Sequence, residues 1–310
     1  GRVFLWDAET GGCVLELSGH TDCVLSLCCF RGCYLVGGTK DNAILLWNAE
    51  TGSLRQVLKG HDDDVADVCS LNDTRLASAS HDHTCRVWKV DTLRKSSAKP
   101  KANPCRASAG RTTQQLTRKS TRLSSLLSQG WPDWRSNGFN LRASLRNSVG
   151  EFLDQGPSGN VVLRGHTGYV LTVCTLPNGD GENDRLASAS QDRTVRLWRL
   201  SDASCLRVLC GHEDDVSDCC PLGSTQLVSV SHDKTVRVWN AETGICDRIL
   251  KGHKHDVLVL CTLQRTDDAV DALTRDSFSS DRTAGAQPLI VSASADKTIR
   301  VWEMDEILWA

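Results

Sequence analysis

An internal repeat of 41 residues is the feature that most restricts how this chain can fold. In its regular parts a Trp follows the His of a Gly-His pair by 27 residues, and the next pair begins 13 residues after that Trp. The pairs are Gly19-His20, Gly60-His61, Gly165-His166, Gly211-His212 and Gly252-His253, and the tryptophans are Trp6, Trp47, Trp88, Trp198, Trp239 and Trp302. A period of about 20 to 50 residues is typical of solenoids and propellers.

Three intervals exceed this spacing. Five extra residues lie between His166 and Trp198, 22 between His253 and Trp302, and 64 between Trp88 and Gly165. The remaining residues correspond to about 5.3 periods. The first strand ends at Trp6 and the chain stops before the fourth strand of its last repeat, so we expect five nearly complete repeats and a half repeat.

Each period has the local chemistry of β-structure. The segments 76–88, 186–198, 227–239 and 290–302 each contain an alternating run, a turn with Asp, and a second alternating run rich in β-branched residues. This pattern predicts a β-hairpin. A further strand is predicted after each Gly-His pair and another before the next pair, and four antiparallel strands per period are typical of one propeller blade.

With Gly-His, Asp and Trp recurring at fixed offsets, the chain resembles the WD40 family of β-propellers over everything except the insertions. The resemblance implies an all-β fold of five nearly complete four-stranded blades plus a half blade, forming part of a seven-bladed ring. It also implies that a His, a Ser or Thr, an Asp and a Trp form a hydrogen-bonded tetrad across each blade. The implied tetrads are His61, Ser78, Asp82 and Trp88; His166, Ser188, Asp192 and Trp198; His212, Ser229, Asp233 and Trp239; and His253, Ser292, Asp296 and Trp302.

The first complete repeat departs from this pattern. It has His20, Asp41 and Trp47, but Gly37 stands where the family has Ser, so we expect a gap in its network. Because such sets recur at one spacing, we interpret their His and Asp residues as structural rather than as catalytic dyads or metal ligands. No P-loop, GxSxG or HExxH motif occurs. We therefore predict a non-enzymatic protein without catalytic residues, metal, cofactor or small-molecule substrate.

The insertions divide the chain into blades over residues 1–92, a Ser- and Arg-rich insertion that we expect to be mostly disordered over 93–158, and further blades over 159–310. The last part includes a loop insertion at 264–287. Residues 94–147 contain 12 Lys or Arg and one acid, whereas the whole chain has a net charge of −2. The composition of the basic segment is typical of disorder, and the rest of the chain is acidic.

The basic segment could be a solvated loop without an essential role. Three functional interpretations compete with this one. It could bind RNA or an anionic membrane through its charge, with help from Trp131 and Trp134. It could carry kinase sites or one turn of a docking helix. The candidate kinase sites are Ser108, Ser125 and Ser144, and the candidate docking residues are Leu123, Leu126 and Leu127.

By the resemblance, one face of the propeller, formed by the Gly-His links and the Asp turns, would receive a peptide or protein loop. The candidate partner-binding residues are Lys40, Asp64, His81, Tyr169, Gln191, Asp215, His232 and Asp256. The aspartates that recur in the links at 62–64, 213–215 and 254–256 favour a basic segment as the partner. In another hypothesis the basic insertion of the chain itself folds back onto this face.

The resulting functional prediction is a scaffold or substrate-recognition module within a larger complex. The alternatives are an RNA- or ribonucleoprotein-associated component acting through residues 94–147, and the non-catalytic part of a multidomain enzyme.

Fifteen cysteines suggest packing rather than cross-linking. Five of them lie eight residues after a blade His, namely Cys28, Cys69, Cys174, Cys220 and Cys261. Free Cys packs as a small hydrophobic residue, and no CxxC pair is present. With no apolar run long enough to span a membrane, we expect an intracellular protein of the cytoplasm or nucleus. Cys29, Cys33 and Cys105 are expected to be accessible.

Overall fold

The computed structural model describes residues 2–90, 160–177, 184–263 and 288–303, and every regular element in these ranges is a β-strand. The first two strands, β1 (Val3–Trp6) and β2 (Cys13–Leu17), form a two-stranded half blade. The predictions made for the insertions at 93–158 and 264–287 lie outside the described residues.

Five larger sheets follow, which we call blades I to V. Blade I contains β3 (Val24–Phe30), β4 (Tyr34–Thr39), β5 (Ala43–Asn48) and β6 (Leu54–Lys59). Blade II contains β7 (Val65–Asn72), β8 (Arg75–Ser80), β9 (Thr84–Lys89) and β10 (Val161–Arg164). Blade III contains β11 (Val170–Leu176), β12 (Arg185–Ser190), β13 (Thr194–Arg199) and β14 (Cys205–Cys210). Blade IV contains β15 (Val216–Leu222), β16 (Gln226–Ser231), β17 (Thr235–Asn240) and β18 (Cys246–Lys251). Blade V contains β19 (Val257–Leu263), β20 (Leu289–Ser294) and β21 (Ile299–Trp302).

Each sheet is an antiparallel meander in chain order, so the prediction of an all-β propeller with four-stranded blades is confirmed. The first strands of successive blades contact one another. In such a meander the first–second and third–fourth connections share one end of the sheet. The ends of β9 and β10, which flank the basic insertion, therefore lie opposite the Gly-His links, as do those of β19 and β20.

The second strands of blades I to IV are buried on both faces because a neighbouring sheet packs on each side of them. In β16, Leu227 packs in the cluster shared with blade III, whereas Val228 and Val230 pack in the cluster shared with blade V. The repeated Trp faces the preceding blade: Trp239 lies in the same cluster as Leu197 of blade III. The core is therefore a series of interfaces between blades.

The Gly of the Gly-His pair has little space for a side chain, and in most of the links it also has a positive φ. Gly211 has a φ of +155°, and a Cβ placed there would lie 2.6 Å from Nη1 of Arg237 and 3.2 Å from the Trp239 ring. Gly165 has the same φ and an equivalent close approach to Arg196. The absence of a side chain lets the link pass over the Arg and Trp of its own blade.

Among the described residues, the two outermost sheets each have apolar side chains that no neighbouring blade covers. Trp6 is 63% exposed, whereas the equivalent Trp47 is fully buried. At the other end, Ile299 is 72% exposed, whereas the equivalent Val236 is fully buried against blade V. Position in the array thus decides whether a residue of the repeat belongs to the core.

Candidate interaction face

A side-chain network ties the Gly-His link of blade II to its hairpin. Nδ1 of His61 lies 2.6 Å from Oδ2 of Asp82, and Nε2 lies 2.7 Å from Oγ of Ser78. The indole Nε1 of Trp88 donates to the same Ser78 oxygen over 2.8 Å. His61 and Ser78 are buried, so these contacts satisfy polar groups that water does not reach.

The predicted tetrad residues are brought together in the same way in blades III, IV and V. The His–Asp, His–Ser and Trp–Ser distances are 2.7, 2.8 and 2.8 Å for His166, Asp192, Ser188 and Trp198. They are 2.7, 2.8 and 2.8 Å for His212, Asp233, Ser229 and Trp239. They are 3.0, 2.9 and 2.9 Å for His253, Asp296, Ser292 and Trp302.

The tetrad Asp also closes the hairpin turn. Asp82 accepts hydrogen bonds from the backbone and hydroxyl of Thr84 and from the backbone N–H of Asp62. Burial alone would raise the pKa of Asp82, but the hydrogen bonds from His61, Thr84 and Asp62 outweigh it and hold that pKa well below its usual value. The carboxylate stays ionised and fixes the start of the link relative to the turn.

In blade I the Trp and the turn Asp have other partners, since Gly37 supplies no hydroxyl. The indole of Trp47 donates to the carbonyl oxygen of Ser18 over 2.8 Å. Asp41 accepts hydrogen bonds from the hydroxyls of Thr21 and Thr39, which lower its pKa. The His20 ring stands edge-on to Trp47, with 6.2 Å between the ring centroids.

The predicted partner-binding residues lie in backbone-paired positions at this end of the blades. In each blade the residue before the turn Asp donates its N–H to the carbonyl oxygen of the third residue after the blade His. These pairs, with N···O distances, are Lys40 to Cys23 (3.0 Å), His81 to Asp64 (2.9 Å), Gln191 to Tyr169 (3.0 Å), His232 to Asp215 (2.9 Å) and Ala295 to Asp256 (2.9 Å). We call these ten residues, together with the links and turns that carry them, the interaction face.

Charge is distributed unevenly over the interaction face. Three acids follow the blade His in blade II (62–64) and in blade IV (213–215), but Asp256 shares its link with Lys254. The residue after the turn Asp has positive φ in every blade and is Arg193, Lys234 or Lys297 in blades III to V. In blade II it is His83. Blade II therefore has the acidic link least compensated by basic residues.

Two side-chain pairs on the interaction face combine an acid with a histidine. Nδ1 of His81 lies 3.8 Å from Oδ2 of Asp64, and Nδ1 of His232 lies 4.0 Å from Oδ2 of Asp215. All four side chains are partly exposed. They can meet a ligand without any rearrangement of the blades.

Sequence reasoning did not identify two aspartates on the first strands. Oδ2 of Asp67 accepts the hydroxyl of Thr172 (2.9 Å) and the N–H of Val173 (3.0 Å) in the next blade. Oδ2 of Asp218 accepts the N–H of Leu260 over 2.8 Å. Asp67 and Asp218 both lie six residues after a blade His, which is the shared sequence feature by which they could have been found.

Burial raises the pKa of these two carboxyl groups. For Asp218 it does so to about 6, opposed by the hydrogen bond from Leu260 and reinforced by the nearby charge of Asp67. The pKa of Asp67 is also raised, and burial is the largest cause. These carboxyl groups hold neighbouring blades together at the cost of burying charge.

The fourteen cysteines of the described residues are free thiols. Burial raises the pKa of Cys28 to about 12 and places that of Cys69 well above its usual value. Cys29 is exposed and Cys33 is partly buried, while Cys105 lies outside the described residues. Thiols at the repeated position on the first strands thus stay protonated where they are buried.

Within the part of the chain that the structure describes, no group of three or more His, Cys, Asp or Glu side chains could hold a metal ion. Over the same ranges, no helix is long and apolar enough to cross a membrane.

Comparison with curated proteins finds short matches to subunits of protein complexes. Coatomer subunit beta' of Rattus norvegicus is 39% identical over 64 residues, which are 21% of this chain and 7% of that protein. The probable E3 ubiquitin ligase complex SCF subunit sconB of Aspergillus oryzae is 43% identical over 61 residues, which are 20% of this chain and 8% of that protein. The non-functional target of rapamycin complex subunit LST8-2 of Arabidopsis thaliana is 40% identical over 57 residues, which are 18% of this chain and 17% of that protein. The chain thus spans less than a fifth of the length of these relatives.

A solved structure and a family model cover far more of the chain. The WD40 β-propeller domain of Doa1 superposes with a TM-score of 0.56 at 18% identity, over 94% of this chain and 67% of that one. At this identity the likeness concerns the fold alone. The family model described as WD domain, G-beta repeat, matches residues 11–48, 52–89, 159–199, 203–240 and 244–303. Because these segments make up more than half of the sequence and each spans one period of the repeat, the chain belongs to the WD40 repeat β-propeller family.

Proposed function

We propose that this chain is a non-enzymatic interaction module, a scaffold or substrate-recognition subunit, that binds a basic protein segment on its interaction face. The observation that carries the proposal is the position of the acidic links of blades II and IV, which lie at the same end of the propeller as the Asp64–His81 and Asp215–His232 pairs. Partly exposed carboxylates attract a cationic segment and form charge-assisted hydrogen bonds with it.

The family and the relatives support the class of function. WD40 propellers are generally non-catalytic scaffolds, and the three curated relatives are all named as subunits of complexes. The buried tetrad His and Asp groups are engaged with one another, which favours a structural role for them. We also propose an intracellular location. The cysteines at packing positions support this location.

The test is a titration of the full chain with a fluorescent peptide rich in Lys and Arg, followed by anisotropy at several salt concentrations. A partly exposed ion pair contributes about 0.2 to 1 kcal/mol, so replacing Asp64 and Asp215 together by Asn should weaken binding roughly two- to thirtyfold. The loss should shrink as salt screens the charges.

The control is Glu50→Gln, which removes one acid from an exposed link at the opposite end of blade I. It should leave the affinity unchanged. If the Asp64/Asp215 double variant binds the peptide as the unaltered chain does, the interaction face is not the binding site.

A second candidate function rests on the 12 basic residues of segment 94–147. A chain that binds RNA through this segment should give a gel shift that weakens steeply with salt and disappears when residues 94–150 are removed. Deletion of residues 94–150 also tests the hypothesis that the basic insertion folds back onto the interaction face. If the segment covers the interaction face, its removal should strengthen binding of the basic peptide; equal affinity would contradict that hypothesis.

A further inference from the structure

An exposed aromatic cluster interrupts the acidic residues of the interaction face at the junction of blades II and III. The ring of Tyr169 stacks on His81, with centroids 4.6 Å apart and an interplanar angle of 17°. His83 meets the same ring edge-on at 5.6 Å and 71°. We call these three residues the aromatic shelf. Tyr169 keeps 39% of its surface exposed despite both contacts.

The shelf is specific to this junction among the described blades. At the third position after the blade His, blades II, IV and V have Asp64, Asp215 and Asp256, and blade I has Cys23. Only blade III has an aromatic residue there, Tyr169. The Asp215–His232 pair of blade IV has nearly the same geometry as the Asp64–His81 pair, and the residue that corresponds to Tyr169 beside it is Asp256.

An acid lies directly beside the shelf. Oδ2 of Asp64 is 3.8 Å from Nδ1 of His81, and His81 is the residue on which Tyr169 stacks. The turn of blade II has no Lys or Arg to compete for this carboxylate, since His81 and His83 flank its Asp82. A cationic side chain placed here would meet a planar ring and a carboxylate together.

The aromatic ring beside the carboxylate distinguishes arginine from lysine. A guanidinium is planar, stacks on aromatic faces and donates two parallel hydrogen bonds to a carboxylate. An ammonium is compact and strongly hydrated, and it gains less from a flat ring. An acidic surface without an aromatic ring would attract both cations to a similar degree.

We propose that the aromatic shelf and Asp64 form a subsite for arginine, so that the partner carries an arginine at this position rather than any basic residue. This inference rests on the proposed function and adds the identity of the side chain. The guanidinium stacks on the exposed part of Tyr169 and pairs with Asp64. The acidic link of blade IV supplies attraction that does not discriminate between the two cations.

The test compares two labelled peptides of equal length and charge, in which the basic residues are all Arg or all Lys and the remainder are Gly and Ser. Since an exposed cation–π contact is worth about 0.5 to 1 kcal/mol, the full chain should bind the Arg peptide roughly two- to fivefold more tightly. Tyr169→Ala should weaken the Arg peptide to the affinity of the Lys peptide and leave the Lys peptide unchanged. Tyr169→Phe should keep the preference.

Asp215→Asn is the matched control, since it alters the equivalent acid–histidine pair away from the shelf. It should weaken both peptides by the same factor and preserve their ratio. Should a Tyr169 variant fail to fold by circular dichroism, His83→Ala, which removes the edge-on ring, gives a second measure and should reduce the ratio.

Equal affinities of the unaltered chain for the two peptides would overturn the arginine subsite while leaving the acidic face in place. A Tyr169→Ala variant that weakens both peptides alike would do the same. If neither peptide binds saturably at low salt, the proposed function and the subsite are both wrong.

Discussion

The hydrogen-bond geometry of the tetrads fixes the orientation of each histidine ring. An ionised Asp only accepts, so Nδ1 of His61 carries the proton directed at Asp82. Nε2 lies 2.7 Å from the hydroxyl of Ser78, whose oxygen accepts the indole N–H of Trp88. Contacts at both ring nitrogens therefore fix the orientation of the imidazole between the link and the hairpin.

The carboxyl groups of the chain respond to pH in opposite directions. The pKa of the tetrad Asp82 is lowered, so its stabilising contribution is present above the ordinary Asp pKa and is lost as pH falls toward the folded value. The pKa of Asp218 is raised from 3.8 to about 6. Asp218 therefore stabilises the fold increasingly as pH falls through about 6, and this gain is absent at pH 7.5.

Asp218→Asn should remove this pH-dependent contribution. Between pH 7.5 and pH 5 the unaltered chain should gain about 1.4 kcal/mol from Asp218 relative to the Asn variant. The measurement is the free energy of unfolding by urea at both pH values. Glu9→Gln, on an exposed turn, serves as the control and should follow the unaltered chain. The same pH dependence in the Asn variant and the unaltered chain would mean that Asp218 titrates normally.

Within the links between blades, two factors favour Gly in the Gly-His pair. One is the small space for a side chain, and the other is the backbone conformation. A methyl group at Gly211 would require the Arg237 guanidinium to shift and would press on the Trp239 ring. The residue after each turn Asp has positive φ although it is never Gly in these blades. In blades III to V this position is occupied by Arg193, Lys234 and Lys297, whose side chains are exposed, so the turn places a strained backbone conformation where the side chain meets solvent.

Gly211→Ala should destabilise the chain by about 1 to 3 kcal/mol, because φ is +155° and the new Cβ would lie 2.6 Å from Arg237. Thermal unfolding measures the loss. Adding Arg237→Ala removes the clash but not the backbone strain, so the two changes should cost less together than the sum of the single losses. Gly12→Ala is the control, since the nearest atom to its Cβ is 3.4 Å away. Strict additivity in the double variant would show that the contact with Arg237 is not limiting.

Over the whole molecule, stability resides in the interfaces between blades rather than in a central core. Each of the apolar clusters that include a tetrad Trp draws residues from two neighbouring blades or from the half blade and blade I. The sheets at either end of the array have one uncovered side. Residues at the same position of the repeat therefore contribute different amounts to the free energy of unfolding, depending on whether a neighbouring blade packs on them.

Val236 and Ile299 test this difference because they occupy the same position in blades IV and V. Val236→Ser should cost about 2 to 4 kcal/mol, since it opens a cavity and buries a hydroxyl in a packed interface. Ile299→Ser should change the free energy of unfolding by no more than about 0.5 kcal/mol, because the Ile299 side chain is already exposed. Urea unfolding of both variants measures the contrast. Equal losses would mean that the exposed face of blade V is covered in solution.

Much of this fold could be read from local pattern. The alternation in 227–239 and the Asp between its two runs predicted a hairpin, and β16 and β17 occupy those residues. The repeat also predicted which His, Ser, Asp and Trp to consider together. Asp67 and Asp218 were missed because their partners Val173 and Leu260 lie 106 and 42 residues away, in other blades.

The sequence by itself determined the period, the number of strands in each repeat and the residues of each turn, because these depend on neighbours within one blade. Only the tertiary structure decided which surfaces are buried and which side chains meet across blades. Tyr169 reaches His81 although 88 positions and the basic insertion separate them. Such a contact is fixed by the packing of one sheet against the next, and no local pattern of residues encodes that packing.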